Sequence, residues 1–213
     1  MQLEALEHRV LLSAVLASTG LLTITGTADD DRISMVRVNA TKTKPALLIV
    51  TEKVTTLKGD GSGTLATVET TNFTLASVKS IVINAGSGND SVSVAGGRTY
   101  HIAIPSTING ESGDDSLTGG DADDVLSGGK GDDLITGGAG NDRLFGNEGA
   151  DRLTGGEGAD YLNGGLDNDR LYADDGGGTD TVDGGGGTAP NDYAVTNPGD
   201  VVTGVKRVKQ PTA

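Results

Sequence analysis

Seven rows of nine residues run without insertion from position 110 to position 172: GESGDDSLT, GGDADDVLS, GGKGDDLIT, GGAGNDRLF, GNEGADRLT, GGEGADYLN and GGLDNDRLY. The first residue of every row is Gly (Gly110, Gly119, Gly128, Gly137, Gly146, Gly155, Gly164). The sixth is always Asp (Asp115, Asp124, Asp133, Asp142, Asp151, Asp160, Asp169). The eighth is always Leu or Ile (Leu117, Leu126, Ile135, Leu144, Leu153, Leu162, Leu171). A strict short period overrides local propensity, because each row repeats one conformation and buries its apolar residue only by stacking on its neighbours.

The first six residues of a row are rich in Gly and Asp and read as a turn. The last three, x-U-x, read as a short strand with one apolar side chain on its inner face. Two rows then close one coil of 18 residues, and alternate rows stack into two parallel sheets. This predicts an all-β, parallel β-roll or β-helix solenoid. Leu117, Ile135, Leu153 and Leu171 line one wall; Leu126, Leu144 and Leu162 line the other.

Such a stack has an electrostatic problem. It aligns the carboxylates of rows n and n+2, and residues 110–172 hold 15 acidic against 4 basic side chains. One Leu or Ile per row is also too little apolar surface to order so many glycines. A cation between the turns removes both difficulties. Carboxylates with main-chain carbonyls are hard oxygen donors and suit calcium, which accepts 6–8 oxygens in flexible geometry. Zinc and copper favour His or Cys, and the chain has two His and no Cys. The formal charge of −14 disfavours nucleic acid and anionic membranes as partners.

Weaker copies flank the block. AGSGNDSVS (85–93) places Asp90 and Val92, GTADDDRIS (26–34) places Asp31 and Ile33, and DGGGTDTVD (175–183) places Asp180 and Val182. Asp90 and Asp180 are edge candidates for a metal. GGGGTAPNDYAV (184–195) is degenerate. Upstream, LLTITGT (21–27), ISMVRVN (33–39), ALLIVTE (46–52), TLATVETTNFTLASV (64–78), SIVIN (80–84) and YHIAIPSTING (100–110) read as strands, with KGDGSG (58–63) as a turn. The organisation expected is a segment 1–18, a β-rich cap with irregular coils over 19–109, the regular roll over 110–172, and degenerate repeats with a tail over 173–213.

GGKGDDLIT and GGAGNDRLF match the nonapeptide G-G-x-G-x-D-x-U-x in full, and the block resembles the RTX (hemolysin-type) calcium-binding repeats. The resemblance implies a parallel β-roll with several Ca2+ ions between rows n and n+2. It implies one metal column at Asp115, Asp133, Asp151 and Asp169, and another at Asp124, Asp142 and Asp160. Turn carbonyls of Gly128, Gly131, Gly137, Gly140, Gly155 and Gly158 complete the ligand set. Glu111 and Asn147 replace the second Gly, and Ala122 and Asp167 the fourth.

Residues 10–17 (VLLSAVLA) suit either a short signal h-region or a capping helix, and Glu4 and Glu7 are unusual before a secretory h-region. The stretch Leu6-Glu7-His8-Arg9-Val10-Leu11-Leu12-Ser13 resembles the Leu-Glu-Pro-Arg-x-Leu-Leu-Ser motif of some bacterial surface and secreted proteins, with His8 in place of Pro. That resemblance turns 1–18 towards a sorting role and the protein towards an extracellular or cell-surface place. The basic end VKRVKQPTA differs from the family's acidic and apolar export endings.

No G-x-S-x-G, H-E-x-x-H, P-loop or full EF-hand sequence is present. His101 reads as a strand residue. Asp114, Asp123 and Asp132 read as solvated charges, and Arg143, Arg152 and Arg170 as outward surface charge. No run is long and apolar enough to span a bilayer. The expectation is a calcium-binding, non-enzymatic roll that folds with its metal. The alternatives are a calcium-stiffened adhesin or matrix module, and a secreted hydrolase with its chemistry in 19–109.

Overall fold

A computed structural model describes residues 13–38, 45–57, 64–95, 102–173, 178–186 and 191–210. The KGDGSG turn, His101 and residues 1–12 of the segment expected to have a sorting role lie outside these. Among the described residues the chain forms two sheets. One runs, in spatial order, through Ser13–Leu16, Leu21–Thr25, Ser80–Ser87, Ser106–Ser112, Val125–Lys130, Arg143–Glu148, Tyr161–Leu166, Thr181–Gly185 and Val201–Thr203. The other runs through Thr64–Thr74, Leu47–Leu57, Asp31–Val38, Ser91–Ser93, Ser116–Thr118, Leu134–Ala139, Arg152–Glu157, Arg170–Ala173, Tyr193–Thr196 and Arg207–Lys209. No helix among the described residues is long and apolar enough to cross a membrane.

From Ser80 onward successive strands alternate between the sheets, so the chain winds as a parallel β-roll. Register follows the sequence period. Leu126 pairs with Leu144, and Leu144 with Leu162. On the other wall Leu117 pairs with Ile135, and Ile135 with Leu153. These eighth-position side chains are fully buried at 0% exposure. The period of two within each strand sends the flanking residues outward. The stack runs on across residue 110: Ile83 pairs with Ile108 and Ile108 with Leu126. Its N-terminal coils therefore share one core with the repeats.

Antiparallel strands finish the N-terminal end. Ser13–Leu16 folds back on Leu21–Thr25. Leu47–Leu57 and Thr64–Thr74 extend the second sheet beyond Asp31–Val38. At the other end the core tapers, through Ala194 to Val208, which is 48% exposed. Graded ends of this kind close a solenoid that would otherwise expose its apolar face.

One local expectation is corrected. The turn does not occupy six residues. In Val125–Lys130, Leu134–Ala139, Arg143–Glu148, Arg152–Glu157 and Tyr161–Leu166 the strand continues into the next row's second and third positions. Gly128 drops out of the register while Ser127 pairs with Phe145 and Gly129 with Asn147. Pairing resumes because position two takes a positive φ, as at Gly129 (+123°). The six-residue strands supply more ladder hydrogen bonds than three-residue ones and support a core of one side chain per row.

Candidate metal centre

The strand ends set the position of every sixth-position aspartate. Asp115, Asp124, Asp133, Asp142, Asp151, Asp160 and Asp169 are all buried, at 0–3% exposure. Each is joined to the next in its column by a side-chain-to-main-chain bond. The Asp115 amide donates to Asp133 Oδ1 (2.8 Å), Asp133 to Asp151 Oδ1 (2.8 Å) and Asp151 to Asp169 Oδ1 (2.9 Å). In the other column Asp124 donates to Asp142 Oδ1 (2.8 Å) and Asp142 to Asp160 Oδ1 (2.8 Å). The two columns are those expected from alternate rows.

The flanking copies join the same ladders. Asp31 donates to Asp90 Oδ1 (2.7 Å) and Asp90 to Asp115 Oδ1 (2.8 Å). Asp160 donates to Asp180 Oδ1 (2.7 Å), and Asp180 to Asp200 Oδ1 (3.1 Å). Asp169 donates to Asp192 Oδ1 (2.9 Å). Asp192 and Asp200 escaped the sequence reading because insertions break the nine-residue spacing. The Asn-Asp-Tyr-Ala-Val run at 191–195, which repeats the polar-Asp-x-apolar order, was the signal that marked Asp192.

Oδ1 is thus committed to the main chain. Oδ2 of Asp90, Asp115, Asp133, Asp142, Asp151, Asp169 and Asp192 is buried with no hydrogen-bond partner. An ionised oxygen in that state is strongly unfavourable unless a cation meets it. Burial accordingly pushes the carboxyls of Asp90, Asp133, Asp142 and Asp169 up to about 7, from an ordinary 3.8. Those of Asp115 and Asp151 rise to about 6 for the same reason. The amide donated to Oδ1 opposes the rise, and neighbouring carboxylates add to it.

A main-chain oxygen stands next to the lone carboxylate oxygen. A Cβ placed on Gly137 would meet both Asp142 Oδ2 and the Gly155 carbonyl. On Gly110 it would meet Asp115 Oδ2 and the Gly128 carbonyl; on Gly146, Asp151 Oδ2 and the Gly164 carbonyl. This explains the invariant first column. Position one needs glycine for room between two oxygens. Position two takes a positive φ, which Glu111 (78°) and Asn147 (83°) adopt in its place. The fourth-position glycines Gly131, Gly140 and Gly158 approach the preceding coil instead: Gly131 the Gly113 carbonyl, Gly140 the main chain of Ala122, and Gly158 the Gly140 carbonyl.

These features fit a hard cation: a buried unsatisfied carboxylate oxygen, a carbonyl beside it, and space that a methyl group would fill. Among the described residues no three His, Cys, Asp or Glu side chains gather at one point. A cation here would take most of its protein ligands from the main chain.

The fifth-position residues do more than the sequence reading allowed. Exposed Asp114 accepts the Asp132 amide (2.9 Å), and Asp132 accepts the Ala150 amide (2.8 Å). Asp123 accepts the Asn141 amide (2.8 Å). This outer ladder runs opposite to the inner one: row n+2 donates to row n. Two of the outward arginines are also partnered. The Arg143 guanidinium lies 5.0 Å from the Tyr161 ring centroid, and that of Arg152 lies 4.1 Å from Tyr172.

A parallel β-roll with buried aspartate columns at its turns is the architecture of a calcium-binding repeat protein. Comparison with known families matches residues 106–135 and 136–171 to the RTX calcium-binding nonapeptide repeat (4 copies). The chain carries RTX repeats, and those repeats bind Ca2+, several ions across the array. No curated protein and no solved structure matches the chain.

Proposed function

We propose that this protein is a secreted or cell-surface bacterial β-roll whose folding is coupled to calcium binding, with no chemistry of its own. The observation that carries the reading is the column of buried Oδ2 atoms without partners. Without metal, folding forces each carboxyl to choose between a buried charge and a proton. With calcium, the same oxygen and the adjoining first-position carbonyl become ligands. Asp115, Asp133, Asp151 and Asp169 serve one edge; Asp142 and Asp160 serve the other. Gly128, Gly155 and Gly164 supply carbonyl oxygens.

Extracellular calcium sites bind at roughly 10⁻⁴–10⁻³ M, so such a roll stays open where calcium is scarce and closes where it is plentiful. RTX repeat proteins are typically secreted bacterial proteins, which supports placing the folded form outside the cell. The stiffened roll offers a surface partner an outer face bearing Arg143, Phe145 and Tyr161.

The test is far-ultraviolet circular dichroism of the full chain in EGTA and in millimolar calcium. The β signal is expected to collapse in the chelator and return on adding calcium, with magnesium a poor substitute. An unchanged spectrum in EGTA, with no calcium found by elemental analysis, overturns the proposal.

A further inference from the structure

Two features distinguish the rows whose aspartate faces a cation site. The first is strand length. Where the strand reaches position two, that residue's amide is held away from the aspartate and Oδ2 is left alone. Where the strand stops earlier, the position-two amide turns back onto Oδ2. Thr27 donates to Asp31 Oδ2 (2.7 Å), Gly120 to Asp124 Oδ2 (2.7 Å) and Asn197 to Asp200 Oδ2 (2.6 Å). The preceding strands end at Thr25, Thr118 and Thr196. A donor pair, the Ser106 amide and hydroxyl, saturates Asp124 Oδ1 (2.6 and 2.9 Å).

The second feature is the residue at position one. Ala85, fully buried, takes the register place of Gly110, since Asn84 pairs with Asn109 and Gly86 with Glu111. Ala173 follows Tyr172 where Gly155 follows Thr154. Each brings a methyl group to the spot where the glycines leave room, which removes Asp90 and Asp180 from the set of complete sites.

Asp192 has both features. It is 0% exposed, and its Oδ2 has no partner. The strand Thr181–Gly185 reaches position two, where Gly185 pairs with Gly165 and its amide donates to Asp183 Oδ1 (3.0 Å), away from Asp192. A Cβ on Gly184 would lie 2.7 Å from Asp192 Oδ2 and 2.7 Å from the Gly204 carbonyl. This is the arrangement at Gly137, Asp142 and Gly155, yet it lies beyond the matched repeats, 23 residues after Asp169.

We infer that Asp192 Oδ2 and the Gly204 carbonyl hold a calcium ion outside the repeat block, while Asp124, inside the block, holds none. The inference rests on the calcium-binding reading of the roll. It is tested by calcium stoichiometry on the full chain, by equilibrium dialysis and calorimetry, in wild type, Asp142→Asn, Asp192→Asn, Asp124→Asn and Gly184→Ala.

Asp142→Asn, Asp192→Asn and Gly184→Ala are each expected to bind one ion fewer than wild type, and Asp124→Asn the full number. A full complement in Asp192→Asn beside a deficit in Asp142→Asn overturns the inference and leaves the calcium reading standing. An ion lost from Asp124→Asn overturns its second half. A full complement in Asp142→Asn as well overturns the calcium reading itself. Should Asp192→Asn fail to regain the β signal in calcium, Gly184→Ala decides, because it keeps the carboxylate and fills only the space beside it.

Discussion

Replacing Asp142 by Asn separates the charge of the site from its hydrogen bonding, and its effect should change sign with calcium. Asn keeps an Oδ1 acceptor for the Asp124 amide, now bonded at 2.8 Å. It places an amide donor where Oδ2 stands beside the Gly155 carbonyl. Burial raises the Asp142 carboxyl from 3.8 to about 7. Holding it ionised at pH 8 in the metal-free fold therefore costs about 2–4 kcal/mol, the lower figure allowing for relaxation around a buried charge. In EGTA at pH 8, Asp142→Asn should stabilise the fold by about that amount. In calcium it should destabilise, by roughly 2.7 kcal/mol where free calcium is about 100 times the site's Kd. Below about pH 4 in EGTA the two proteins should converge, because the wild-type carboxyl is then protonated in the open chain as well as in the fold. Asp142→Ala lacks the acceptor too and should be about 1–3 kcal/mol less stable than Asp142→Asn in either buffer. Urea unfolding followed by circular dichroism reads all these conditions, with the residual β signal as readout where the metal-free chain is already open. Equal destabilisation by Asn in EGTA and in calcium would refute the reasoning.

Two further outcomes follow from the same geometry. Asp90, Asp133, Asp142 and Asp169 titrate near 7, and Asp115 and Asp151 near 6, all above the ordinary 3.8. The metal-free fold thus binds more protons than the open chain; its stability is fully present below about pH 4 and is lost as pH rises through 6–7. Chelated protein should show more β signal at pH 5 than at pH 8, and calcium affinity should climb over the same interval; a metal-free fold that strengthens towards pH 8 would contradict this. At Glu111, φ is 78°, so Glu111→Gly should raise the calcium-loaded melting temperature by the equivalent of about 0.5–1 kcal/mol, the left-handed cost of a side chain less the added freedom of glycine when unfolded. A lowered melting temperature there would mean the Glu side chain holds more than its backbone costs.

The roll, its two walls and its two aspartate columns were legible before any coordinates. A nine-residue period makes alternate rows equivalent, and equivalence dictates that Leu126 stacks on Leu144 and Asp133 on Asp151. The chemistry was legible as well, because an aligned column of carboxylates among glycines leaves few alternatives to a hard cation. What could not be read was how each row spends its oxygens. Asp124 sits in a row as regular as that of Asp142, yet the strand before it stops at Thr118 and the Gly120 amide takes its Oδ2. Asp192 sits in a row whose spacing is broken, yet the strand through Gly185 leaves its Oδ2 alone beside the Gly204 carbonyl. Periodicity reports which residues are stacked. Whether a carboxylate oxygen meets an amide or a space for a metal depends on where a neighbouring strand ends, and that is settled by pairing between coils far apart in the chain.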